Sequence, residues 1–171
     1  GGVGRTTALA SFASHLAINK EMKVVIMDCD FEAPGLTNFF MEDPDNISYK
    51  NGLVEYFLDS ELEDRMILSH YYWEASKKFS GKGSIYVFHA GNLSSDEELG
   101  FRFKSNLIHY MNGLTRLDIF SKNSLNDKFR SLFNEVQRQL QPDIILLDSR
   151  TGFNDVFGVM AFRLSDVVLG F

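Results

Sequence analysis

The chain is poor in the features that mark secreted, membrane-spanning and nucleic-acid-coating proteins. It has a single cysteine, Cys29, which excludes an internal disulfide framework and agrees with a reducing compartment. No apolar run approaches the roughly 18 residues of a membrane span. No secretory signal peptide is visible, so the expectation is a cytoplasmic protein without a membrane segment. Basic residues number 17 against 23 acidic ones, and the net charge of −6 gives no support to broad nucleic-acid binding. What remains is ordinary for one globular domain, with 171 residues of which 44% are hydrophobic and 23% charged. The chain opens in a glycine-rich turn and closes on Val167-Val168-Leu169-Gly170-Phe171, which reads as a strand just begun. A longer protein is therefore expected on both sides.

The opening stretch, Gly1-Gly2-Val3-Gly4-Arg5-Thr6-Thr7, organises the rest. A glycine-rich turn running straight into a helix exposes consecutive backbone N–H groups, with the positive end of the helix dipole behind them, and so holds phosphate. The usual phosphate loop asks for Gly, four residues, then Gly-Lys-Ser/Thr. Only the end of that pattern is matched, and Arg5 stands in the lysine place. Thr6 carries a hydroxyl where such loops supply a Mg²⁺ ligand, while Thr7 either adds a phosphate contact or only packs.

From Thr6 to about Asn19, Leu9, Phe12, Ala13, Leu16 and Ala17 recur at three- and four-residue steps and predict a helix with one apolar face. His15 on that helix has no second ligand at metal spacing and reads as a surface or boundary histidine. Lys23-Val24-Val25-Ile26-Met27-Asp28 is a short apolar run ending in an acid, the look of a buried parallel strand reached by a β-α-β crossover. Ligands of open α/β sheets sit beyond the carboxyl ends of strands. Asp28 and Asp30, two apart on extended backbone, face the same way there. Beside a bound nucleotide they would hold Mg²⁺ through water and orient an attacking water. The plainer reading is a strand-end turn with two solvated aspartates.

Gly52–Leu58 starts a helix, and the aromatic stretch with Tyr71, Tyr72 and Trp73 reads as core or partner-contact packing, because the flanking acids oppose a phosphate backbone. Ser84–Asn92 reads as a second buried strand leading to a turn. Its His89 is either a satisfied structural histidine or a charge sensor near the phosphate site. Residues 93–126 are polar and aromatic, with short helices expected around Phe101–Met111. Leu125–Leu140 carries an apolar stripe of Phe129, Leu132, Phe133, Val136 and Leu140 and ends at Pro142. Ile144-Ile145-Leu146-Leu147-Asp148 is a further buried strand closing with an acid, a Walker B pattern once it follows a phosphate loop, with Asp148 reaching the metal shell. Asn154–Leu164 reads as a helix before the final strand.

Three segments carry a resemblance. Gly-Gly-Val-Gly-Arg-Thr-Thr (1–7), Asp-Cys-Asp-Phe-Glu-Ala-Pro-Gly (28–35) and Asp-Ser-Arg-Thr-Gly (148–152) resemble, in order, the deviant Walker A loop, the Asp-x-Asp switch segment and the Asp-Ser-Pro-Ala-Gly switch of the ParA/MinD family of nucleotide-dependent ATPases. The resemblance implies a single three-layer α/β/α P-loop NTPase domain over 1–171, with a mostly parallel sheet truncated at both ends. It further implies ATP and Mg²⁺, a homodimer formed face to face across two nucleotides, and slow hydrolysis that resets a conformational switch.

By the same resemblance, Gly1, Gly2, Val3, Gly4, Arg5, Thr6, Thr7 and Gly152 bind nucleotide. Thr6, Asp28, Asp30 and Asp148 attend the metal, and Asp30, Arg5 and Asp148 are catalytic. Arg150 would stabilise transition-state charge or pair with an acid. The stretch between Asp30 and Asp148 is longer than in compact bacterial members, so an insertion within 60–126 is expected to carry a protein partner's surface. The nitrogenase-reductase branch, which bridges its dimer with an iron–sulfur cluster on two cysteines per subunit, is excluded by the lone Cys29. Arg5 in place of lysine favours retained binding over fast turnover. It keeps open a nucleotide-locked scaffold without turnover, and a kinase-like relative that transfers phosphate to protein. The Glu-Ala-Pro-Gly and Asp-Ser-Arg-Thr-Gly variants suggest a regulatory module within a larger protein.

Overall fold

Alternation along one strand divides the molecule into layers. Val24 and Ile26 of the strand β1 (Lys23–Asp28) face one way, and Val25 and Met27 face the other. All four are fully buried, as befits a strand covered on both faces. The structure, a computed structural model, describes residues 4–41, 51–60, 62, 66–92, 108–113, 115, 122–149 and 164–169.

Within that range the chain is mixed α/β. Helix α1 (Arg5–Lys20) leads to β1, followed by α2 (Thr37–Phe40), α3 (Leu53–Asp59), a 3-10 turn at Leu68–His70, β2 (Trp73–Glu74), α4 (Lys77–Ser80) and β3 (Ser84–Phe88). A helix at 108–113, α5, precedes α6 (Lys122–Leu140) and β4 (Ile144–Asp148). The open sheet runs β2-β3-β1-β4. β1 lies between β3 and β4 and is parallel to both, with Val24 opposite Ile85 and Ile144, and Asp28 opposite Asp148. β2 is a two-residue antiparallel edge on β3.

Helices cover both faces. On one side Ala10, Ala13 and Ala17 of α1 meet Val24, Ile26, Ile85, Val87 and Leu146. On the other, α3 and α6 close over Val25, Met27 and Phe88. The stripe on α6 is buried at Leu125, Phe129, Leu132, Val136 and Leu140. Phe129 stacks edge-on against Phe57 of α3 with ring centroids 4.6 Å apart. Each such ring removed from water contributes on the order of 1.5–3 kcal/mol. At the lower end of the sheet, Lys23 ties β1 to the close of α6. Its Nζ donates to the Leu140 carbonyl and its N–H to the Asp143 carboxylate, both at 2.7 Å.

The aromatic stretch packs as expected. Tyr71 meets Tyr56 at 5.2 Å, and Tyr72 meets Tyr86 at 5.5 Å and Phe88 at 5.1 Å, so these rings are engaged with the protein itself. Two expectations are corrected. Phe12 lies off the apolar face of α1 and is 44% exposed, because the helix approaches the sheet through its alanines, on a line rotated away from position 12. Val167–Leu169 form no strand: they are exposed and pair with no described strand. An apolar run becomes a strand only where a neighbouring edge accepts its backbone. Among the described residues the fourth strand is β2, two residues within the aromatic stretch. The helix expected over 154–164 lies outside the described residues except for Leu164, which packs on the α3–α6 core.

Candidate functional site

At the head of α1, Gly4 adopts the left-handed conformation with φ 73°, which a residue with a Cβ rarely takes. The helix begins at once, with the Ala8 N–H donating to the Gly4 carbonyl at 2.8 Å. Among the described residues no side-chain cap bond is made at this end. Arg5, Thr6 and Thr7 therefore stand in the first turn, where N–H groups and the dipole favour an anion. Gly1, Gly2 and Val3 lie outside the described residues.

Two strand ends come up beside this turn. The Thr6 hydroxyl donates to Asp148 Oδ2 at 2.6 Å, at the carboxyl end of β4. Arg5 Nη1 donates to the Ser149 carbonyl at 2.6 Å, and its Nη2 lies 3.7 Å from Asp30 Oδ2, just past β1. The guanidinium thus spans both strand ends. Its Nε is buried with no hydrogen-bond partner among the described residues, an unmet donor inside the cluster. Three segments far apart in sequence converge here, beyond the carboxyl ends of parallel strands.

Asp28 is engaged by three N–H groups of the loop that follows it. Its Oδ1 accepts the Asp30 N–H at 3.2 Å, and its Oδ2 accepts those of Gly35 and Leu36, both at 3.0 Å. The carboxylate is fully buried and committed to its own chain, folding residues 29–36 back over the strand end. Asp28 thereby holds the loop 29–36 in place at the carboxyl end of β1. Burial pushes its pKa up from 3.8 to about 6; the N–H of Leu36 pulls down, the neighbouring Asp148 charge pushes up, and the N–H groups of Gly35 and Asp30 pull down. Asp148 is likewise raised by burial, against the lowering effect of the Thr6 hydroxyl and the Arg5 charge. Asp30 accepts the Ala33 N–H at 3.2 Å. Cys29 is buried, and burial raises its thiol well above the ordinary value, with Asp28 and Asp148 adding to the effect; it is a packed strand-end residue.

The donor set fits a metal–phosphate pair better than either alone. Asp28, Asp30 and Asp148 outnumber the single guanidinium, so phosphate by itself would meet excess negative charge. Among the described residues no group of three or more His, Cys, Asp or Glu converges as a self-sufficient metal site. Mg²⁺ in nucleotide sites takes one or two carboxylates, completing its shell with phosphate oxygens and water. Thr6 and Asp148 are close enough to share such a shell, and Arg5 Nε has no hydrogen-bond partner among the described residues. Gly152 and Arg150 lie outside the described residues.

His89 proves satisfied: its Nδ1 is 2.9 Å from the Gly91 carbonyl, and its ring packs 5.3 Å from Trp73. His15 pairs with Asn19 on the α1 surface at 3.0 Å. Two residues that support the site went unflagged. Glu55 accepts the N–H of Gly52 at 2.7 Å and of Asn92 at 3.1 Å, and its place three residues after Gly52 matches helix-capping spacing. The Tyr110 hydroxyl donates to the Phe31 carbonyl at 2.7 Å, and nothing in its local sequence signals that.

No protein-family model, curated protein or solved structure matches the chain.

Proposed function

We propose that this chain is an ATP-binding, Mg²⁺-dependent switch ATPase of the ParA/MinD type with a P-loop fold. The observation that carries the proposal is the meeting of Thr6 with Asp148 at 2.6 Å, while Arg5 reaches both Asp30 and the end of β4. A helix N-terminus, a hydroxyl, a strand-end carboxylate and a second carboxylate at the next strand are the parts a phosphoryl-transfer site needs. Held by Thr6 and Asp148, a metal ion would supply neutralisation of phosphate charge. In this chain the first turn of α1 and Arg5 hold phosphate, Thr6 and Asp148 hold the metal, and Asp30 orients the hydrolytic water. Asp28 keeps the Asp30 segment in place. A homodimer across the nucleotide, a protein partner at 60–126 and a cytoplasmic location belong to the same proposal.

A second reading has its own observation. Arg5 already pairs with Asp30, the acid assigned to the water. If that pair persists with nucleotide bound, ATP holds an assembly together and is not turned over. Single-turnover hydrolysis with Mg²⁺, comparing wild type with Asp30→Ala and measuring ATP binding separately, decides between them. Binding by both proteins with turnover only in wild type supports the switch ATPase. Binding by both with turnover in neither supports the scaffold, and absence of binding removes both.

A further inference from the structure

The segment 29–36 has a second anchor, and it comes from the expected insertion. Tyr110 on α5 is 3% exposed, and its hydroxyl donates to the Phe31 carbonyl at 2.7 Å across 79 positions of sequence. Its ring sits against Gly91, where any Cβ would collide with it. The turn carrying Gly91 is itself fixed on α3: Leu53 and Val54 donate to the carbonyls of His89 and Ala90 at 2.9 Å, and Glu55 accepts from Asn92. Burial raises the pKa of the Tyr110 phenol above its ordinary value, with Asp28, Glu55 and Asp30 adding to the effect, so the phenol stays an O–H donor.

Asp30 therefore lies between two fixed points. On the sheet side its own N–H is held by Asp28. On the insertion side the carbonyl of the very next residue, Phe31, is held by Tyr110. We propose that Tyr110 is a positioning residue for Asp30: the Tyr110–Phe31 bond makes α5 a support of the 29–36 segment, so that a shift of α5 shifts the acid. The consequence for hydrolysis rests on the function proposed above; the tether itself does not.

Tyr110→Phe in the full chain removes one oxygen and keeps the ring over Gly91. Two measurements follow. Without nucleotide, the amides of Ala33, Gly35 and Leu36 should exchange with solvent roughly two- to tenfold faster, the factor one net hydrogen bond is worth, while β1 and β3 amides keep their rates. With ATP, single-turnover hydrolysis should fall by a similar factor at unchanged nucleotide affinity. Unchanged exchange at 33–36 overturns the proposal, as does faster exchange throughout the sheet, which would make Tyr110 a packing residue only. An affinity loss equal to the loss of turnover overturns the positioning role. Selective exchange in a protein whose wild type binds no ATP upholds the tether and instead removes the nucleotide reading.

Discussion

The Thr6 hydroxyl and the Asp148 carboxylate share a 2.6 Å hydrogen bond across 142 positions of sequence. That bond joins the first turn of α1 to the end of β4, and the proposed function assigns both oxygens to a metal. If a metal enters there, Thr6→Ala should weaken ATP binding roughly tenfold or more in Mg²⁺, as for a lost hydrogen bond to a charged group. It should do little in EDTA. Calorimetric titration under both conditions checks this, and equal losses in the two would place Thr6 away from the metal.

Arg5 is asked to do two things at once, since its guanidinium reaches the Ser149 carbonyl and Asp30 together. A lysine is a shorter, compact point charge and cannot fork between them. Arg5→Lys should therefore release Asp30 and raise the single-turnover rate by roughly tenfold, about 1.4 kcal/mol of barrier, with ATP affinity little changed. A rate that stays level or falls would show that the Arg5–Asp30 pair does not restrain turnover.

Asp28 leaves a signature in the pH dependence of stability. Its folded pKa is raised from 3.8 to about 6, so the folded protein holds a proton that the unfolded chain has released. The resulting stabilisation is complete below about pH 3.8 and is lost as the pH rises through about 6, a change of about 3 kcal/mol. Urea unfolding of ligand-free wild type and Asp28→Asn across pH 4 to 7 reads it together with its coupling to Asp148, because carboxylates distant from Asp28 cancel in the difference. The gap between the two proteins should move with pH mainly in that window, and a constant gap would refute the assignment.

Two phenylalanines separate core from surface. Phe129 is fully buried against Phe57, and Phe129→Ala should cost about 3–5 kcal/mol in unfolding free energy. Phe12 is 44% exposed, and Phe12→Ala should stay within about 0.5 kcal/mol. Denaturant melts of both variants test the placement of the helix faces, and a large loss at position 12 would mean that the residue is covered.

Much of the layered arrangement could be read from single segments. β1, β3 and β4 announce themselves as short apolar runs because each has both faces at least partly covered by the protein. α6 does so because its stripe repeats at helical steps from Leu125 to Leu140, about four turns. α1 was legible as a helix but not in its orientation. Hydrophobicity favours Phe12, whereas close approach to a sheet favours alanine, and the contact was won by the small residues. β2 was invisible because two residues make no period. Val167–Leu169 show the reverse error, since pairing depends on a neighbour that composition does not reveal.

The site divides along the same line. Thr6, Arg5, Asp30 and Asp148 stand at motif positions, and the fold brings them together. The loop-holding use of Asp28 was hidden, because it depends on the chain returning at Gly35 and Leu36 to present N–H groups to a buried carboxylate. Tyr110 was hidden more deeply. A hydroxyl bonded to a carbonyl 79 residues away has no sequence pattern, and only packing over Gly91 aims it.

Ala10, Ala13 and Ala17 seat α1 on the sheet, and they have a consequence at the far end of the helix. A helix resting on three methyl groups has its height above the strands set by shims of one carbon each. Thr6 rides on that same rigid rod, so its reach to Asp148 is gauged one to three turns away, by residues with no chemistry of their own. A leucine at position 13 would have to lift the rod or strain the sheet. Either response changes the gap between hydroxyl and carboxylate without altering either group, so the alignment of this site is kept as much by the smallest side chains in the core as by the acids themselves.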